Sequence, residues 1–343
     1  MQVAPQHAQK VGAAIVLCCL SLVGCSGSAA SDAPSLSSMI AIPHNSDGST
    51  LPSGSTSPSK SALPSRSTSP SKSVLPTSSL GTVLHPPVVS GVTWQDVGRS
   101  VHGKSAVAVA RVDAGRVSLM WLDASLLSFR FVPGYAYPEN SPILPVDRRP
   151  STWDRELVAG FNGGFHLKDG AGGYYYNRTT VRSLRPGLAA FTVSSTGQLR
   201  VGVWGSDLTL GPTTTVVREN LRPLVLGGVS QASVSDSPSA WGLANGGLPH
   251  ANRSALGQLA DGSLVFAYGS EVTAAAMAQS FALVGVRTAV MLDMNKSWPT
   301  GYYYDAPASG HLPAGHRIHP GIWRNPSTYY SQFSKDFVVA LAR

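Results

Sequence analysis

Two nearly identical dodecapeptides, "SGSTSPSKSALP" (53–64) and "SRSTSPSKSVLP" (65–76), stand head to tail in this chain and limit how much of it can fold. They lie within a Ser-, Pro- and Thr-rich stretch, from Ser26 to about Ser90, that holds few apolar residues. Ordering a residue costs about 1–2 kcal/mol, and a segment with so little to bury has nothing to offset that cost. The 12-residue period matches no common solenoid unit. The stretch reads as a semi-extended tether, with a partner-binding tail as the alternative. Residues 91–343 remain as one domain with ample chain for a core.

The N-terminus has the pattern of an export signal. Lys10 gives the positive flank, "VGAAIVLCCLSLVG" the short apolar core, and Leu22 to Cys25 ("LVGC") a small residue directly before a cysteine. That ending resembles a bacterial lipobox, which implies a signal peptide over 1–24, acylation of Cys25, and a tether over 25–90 that holds the domain off an extracytoplasmic membrane surface. An uncleaved anchor is the alternative, although the apolar run is short against the roughly 20 residues of a span. Cys18, Cys19 and Cys25 are the only cysteines, so with Cys25 acylated the mature domain has no disulfide, Cys-bound metal or thiolate nucleophile.

Leaving out Lys10, Lys60, Arg66, Lys72, Asp32 and Asp47, 22 basic residues face 16 acidic ones, a net charge of +6 for the domain. The arginines are scattered, not gathered in a stripe, which argues against nucleic acid and for anionic envelope polymers or a phosphate-bearing substrate.

Alternating apolar positions predict many strands. Residues 105–112 and 116–122 flank "DAG", with Asp113 at the tip; "LAAFTV" and "LRVGVW" flank "SSTGQ"; "SALGQLA" and "SLVFAYG" flank Asp261-Gly262, the strongest hairpin signal in the chain. One helix is marked by Thr273 as its cap, by Met277, Phe281 and Val284 at helical spacing, and by Gly285 as its stop. It leads into "RTAVMLD" (287–293), a continuous apolar strand that needs cover on both faces, and "KDFVVALA" (335–342) reads as a closing strand. The expected fold is α+β, a sheet-dominated single domain with helices packed on the sheet.

Three segments carry candidate chemistry. Asp293 ends the buried strand, either as a turn cap or as a carboxylate at a cleft floor. Asn295, Lys296, Trp298 and Tyr302 to Tyr304 follow it, a set suited to stacking on sugar rings and bonding their hydroxyls. In "AGFNGGFH" (159–166), Asn162-Gly163 is either a type I′ turn or, with Gly164, a place where backbone N–H groups approach an anion. His166 beside it is either a proton-transfer group or a structural histidine. In "HANRSALG" (250–257), Arg253 is either a solvated charge or a bidentate phosphate clamp. His311, His316 and His319 lack the spacing of a helical metal site, so no metal or other cofactor is expected.

"FNGGF", then "RSALGQLADGSLVFAYG", then a helix running into "GVRTAVMLD" resembles the phosphodiester glycosidase domain over most of residues 105–343. The resemblance implies Asn162, Arg253 and Asp293 as catalytic residues; Gly163, Gly164, His166, Asn295, Trp298 and Tyr302 are expected near the substrate from the residue patterns above. Two departures stand out: Asp293-Met294-Asn295-Lys296-Ser297 replaces the family's Asp-Gly-Gly-Gly-Ser, and His166 replaces a usual Phe. The implied activity is hydrolysis of sugar-1-phosphodiesters in envelope glycans. Asp293 would be base or nucleophile, Arg253 the phosphate clamp, and Asn162 with Asn295 the hydroxyl partners. The alternatives are a catalytically silent module binding anionic glycans or wall polymers, and a scaffold of envelope assembly that acts through its tether.

Overall fold

A computed structural model of the chain describes residues 84–141, 149–169, 172–242 and 248–343. The expected signal peptide, Cys25 and the tandem repeat lie outside the described residues.

Antiparallel pairing dominates. The largest sheet has eight strands in the order Gln95–Asp96, Val107–Val112, Val117–Leu122, Leu264–Val272, Ala251–Gln258, Thr288–Met294, Val225–Leu226, Val229–Ser230. A second sheet orders Leu199–Val203, Ala189–Ser194, Thr214–Glu219, Tyr174–Tyr176 and Thr179–Arg182. The third orders Gly315–Arg317, Gly301–Tyr304, Leu157–Asn162, Phe337–Ala342 and Leu127–Val132. The three hairpins expected from alternation form, with Asp113 at the tip of the first in a left-handed conformation.

The sheet-dominated part of the expected fold is found, but the α+β description with several helices is not. Among the described residues there is one α-helix, Ala274–Leu283, and the fold is largely β. Alternation explains the imbalance: most apolar residues recur at every second position, and only 273–285 carries helical spacing between a cap and a stop. Thr273 accepts from the Ala276 N–H at 3.1 Å, and Gly285 takes φ +77° as the stop requires. No helix among the described residues is long and apolar enough to cross a membrane.

The helix lies on one face of the eight-stranded sheet, where the bare backbones of Gly257 and Gly269 make room for Phe281 and Met277. The third sheet covers the opposite face: Phe161 stacks on Phe266 with centroids 5.2 Å apart, and Gly301 sits against the Phe266 ring. The strand 288–294 packs against strands 199–203 and 189–194 of the second sheet and is buried from Ala289 to Met294, as its uninterrupted apolar sequence demands.

Candidate active site

The ends of four strands from the three larger sheets meet at one place: 157–162, 214–219, 288–294 and the start of 337–342. Asn162 ends the first of these and ties it to the segment after Trp298. Its backbone N–H donates to the Thr300 carbonyl at 3.1 Å, and its side-chain oxygen accepts from the Thr300 N–H at 3.0 Å. Its amide donates to the Gly163 carbonyl at 2.8 Å. Beyond it the chain does not turn back as a hairpin, since 157–162 pairs with 301–304 and 337–342 instead.

The two glycines do bring backbone to an anion, and the anion is the protein's own Asp336. Gly163 N–H donates to the Asp336 carbonyl at 2.8 Å and Gly164 N–H to its carboxylate at 3.3 Å. A Cβ on Gly163 would overlap that carboxylate, and one on Gly164 would press on the Asn220 amide. Arg218, fully buried, donates from Nε to Asp336 at 3.0 Å and from Nη2 to the Phe165 carbonyl, with its guanidinium 5.3 Å from the Tyr174 ring centre. Asn220 accepts from the Phe165 N–H at 3.1 Å. Two strand ends and the glycine loop are thus fixed by one buried ion pair.

Beside it stands a second pair. Asp293, 3% exposed, directs one carboxylate oxygen at the Met294 N–H (2.6 Å) and the other at the ammonium of Lys335, itself 1% exposed. A register shift against Ser254 and Ala255 leaves Leu292 as an extra residue in the strand, a bulge of the kind that re-aims a side chain. Burial brings the Lys335 ammonium down to about 7; Asp336 partly opposes this and Arg218 adds to it. The Trp298 ring centre lies 5.4 Å from the Lys335 nitrogen and 4.8 Å from the Arg324 guanidinium. Tyr137 stacks on His166 at 3.8 Å, and His166 lies 5.9 Å from Trp298. His166 is held below its ordinary value by burial and then by the Lys335 charge. Its two ring nitrogens are buried with no hydrogen-bond partner among the described residues, and Nδ1 is 3.9 Å from the Glu139 carboxylate.

A family model described as phosphodiester glycosidase matches residues 155–297. No curated protein matches the chain. Solved structures similar to it include a zebrafish N-acetylglucosamine-1-phosphodiester alpha-N-acetylglucosaminidase catalytic domain, auto-inhibited by its pro-peptide. It shares 16% identity over 75% of this chain and 89% of that one, with a TM-score of 0.38. A hypothetical protein from Synechocystis shares 14% over 74% and 62%, with a TM-score of 0.37. A putative exported protein from Burkholderia pseudomallei shares 11% over 71% and 76%, with a TM-score of 0.30.

Within the matched residues 155–297, Asn162, Gly163, Gly164, His166 and Asp293 converge. Arg253 does not face Asp293. It pairs across the ladder with Met294, while its neighbour Ser254 pairs with Asp293, so alternation puts the guanidinium on the helix-covered face. There it donates to the carbonyls of Val272 (3.0 Å), Trp241 (3.3 Å) and Pro249 (3.1 Å), and burial lowers its pKa to about 10. The expected clamp opposite the carboxylate is therefore corrected: the cation at Asp293 is Lys335. Asn295 takes the turn-cap role, its oxygen accepting from the Ser297 and Trp298 N–H groups at 2.7 Å each. Tyr302 is not a sugar-facing ring. It is fully buried, gives its hydroxyl to the Arg324 carbonyl and meets Tyr329 edge-on.

His316 pairs with Asp305, and His319 bonds the Gly115 carbonyl and the Gly321 N–H. Among the described residues no group of three or more His, Cys, Asp or Glu side chains is placed to hold a metal ion. Lys335, Asp336 and Arg218 were missed as site residues. Their one signal in sequence is charge set directly against strand: "KD" before "FVVALA" and Arg218 inside "TTVVRE".

Proposed function

We propose that this chain hydrolyses sugar-1-phosphodiesters, and that it does so outside the cytoplasm on an anchor at Cys25. The observation that carries the reading is the buried Asp293 carboxylate at the end of its strand, in contact with the Lys335 ammonium and flanked by the flat rings of Trp298, His166 and Tyr137. A sugar-1-phosphodiester presents an electrophilic anomeric carbon and, across the bridging oxygen and phosphorus, the anionic phosphoryl oxygens. A carboxylate next to an ammonium matches that pair of charges.

Asp293 either attacks the anomeric carbon or takes the proton of an attacking water. The bond between that carbon and the bridging oxygen breaks, and its electron pair leaves with the phosphate as a monoester. Water supplies the hydroxyl of the free sugar, directly or by hydrolysis of the sugar-Asp293 ester. The departing phosphate is a stable anion, so a dedicated general acid is less needed than for an alkyl glycoside. The aromatic rings give the sugar a stacking wall.

Incubating the purified chain with a panel of nucleotide sugars and sugar-1-phosphodiesters tests the reading. Wild type is expected to release free sugar, and Asp293→Asn to lose about a hundredfold or more of that rate. Full activity in Asp293→Asn would remove Asp293 from the chemistry. Tight binding across the panel with no sugar released would assign the chain the glycan-binding role instead.

A further inference from the structure

The contact between Lys335 and Asp293 has a consequence for selectivity that rests on the hydrolase reading above. Among the described residues Lys335 meets a single acceptor, the Asp293 carboxylate; otherwise its ammonium faces the Trp298 ring. Asp336, next in the chain, favours the Lys335 charge from a distance but forms no ion pair with it, and one of its oxygens is held by Arg218 and the Gly164 N–H. Parting Lys335 from Asp293 would leave two buried charges uncompensated, which is far costlier than the pair itself. A carboxylate bound to an ammonium is also a weakened base and nucleophile.

We propose that the Asp293–Lys335 pair is a resting-state clasp opened by the phosphate of the substrate. The phosphoryl oxygens take over the Lys335 ammonium, and the released Asp293 oxygen turns to the anomeric carbon. A neutral glycoside brings no counter-ion for Lys335, so it leaves the clasp shut. Lys335 is then the residue that restricts the site to anionic leaving groups. The unpartnered ring nitrogens of His166, 9% exposed and in the same aromatic cluster, supply further hydrogen-bonding groups for a ligand with several oxygens.

Binding separates this proposal from catalysis. Calorimetry with inorganic phosphate and dimethyl phosphate, at about pH 6 where Lys335 is protonated, would compare wild type, Asp293→Asn, Lys335→Met and Lys335→Arg. Asp293→Asn is expected to bind about tenfold tighter than wild type, because the internal competitor is gone, and Lys335→Met to lose binding. Equal affinities in wild type and Asp293→Asn would overturn the clasp, and that comparison stands even if Lys335→Met fails to fold. Binding by Lys335→Met at wild-type strength, with Lys335→Arg no tighter, would overturn it as well. If wild type releases no sugar but the phosphate affinities follow the expected order, the clasp stands and the hydrolase reading falls. If sugar is released and Asp293→Asn gains no affinity, the reverse holds.

Discussion

Arg253 and Asp293 lie on neighbouring strands of one ladder, a single register step apart, and point to opposite faces of the sheet. Alternation decides this, and it separates two residues that sequence order and family resemblance place together. The guanidinium holds the loop ends before its own strand and the carbonyl that precedes the helix cap. The carboxylate faces the cluster at the start of 337–342.

Arg253→Met is therefore expected to act on stability. It strips donors from three carbonyls, a loss of about 3 kcal/mol or more. Urea denaturation should show that loss, while kcat/KM per folded molecule stays within about tenfold of wild type. Unchanged stability with turnover abolished would return Arg253 to the substrate.

Gly163→Ala places a methyl group against the Asp336 carboxylate and is expected to cost about 1–3 kcal/mol. The mechanism predicts strong coupling. In an Asp336→Ala background, itself destabilised by about 3–5 kcal/mol because Arg218 is left unpaired, the alanine at 163 should cost almost nothing. Additive losses in a double-mutant cycle would contradict the contact.

Stability should also depend on pH in a defined direction. Lys335 and His166 both have folded values below their ordinary ones, so the unfolded chain binds more protons over the window between. From about 7 up to the ordinary lysine value near 10.5, the Lys335 contribution makes the fold more stable as pH rises. Below the ordinary histidine value of 6.5, the cost of protonating buried His166 appears and stability falls. Thermal melts across this range should show both limbs, and Lys335→Met should flatten the alkaline one.

Local features of the sequence foretold local structure well. Asp261-Gly262, Thr273 with Gly285, and the unbroken run before Asp293 each act on their immediate neighbours, and each forms as expected. Asn162 and the glycines after it were legible as a close backbone approach to an anion, but the donor of that anion was not. Asp336 reaches them only because the last described strand inserts between 157–162 and 127–132, and no local pattern encodes that order. The tyrosines at 302–304 misled for a related reason. Three adjacent rings look like an exposed platform, yet in a strand they alternate, and Tyr302 and Tyr304 turn into the core while Tyr303 stacks on His316.

Lys335 and Asp336 are consecutive, and each anchors a different sheet, the first at Asp293 and the second at Arg218. Both pairs therefore close together when this dipeptide docks, and each joins residues distant in sequence, the kind of contact that costs the most loop entropy to form. A chain in which this dipeptide has not docked lacks both buried pairs at once, so the strand ends they join are left without either tie.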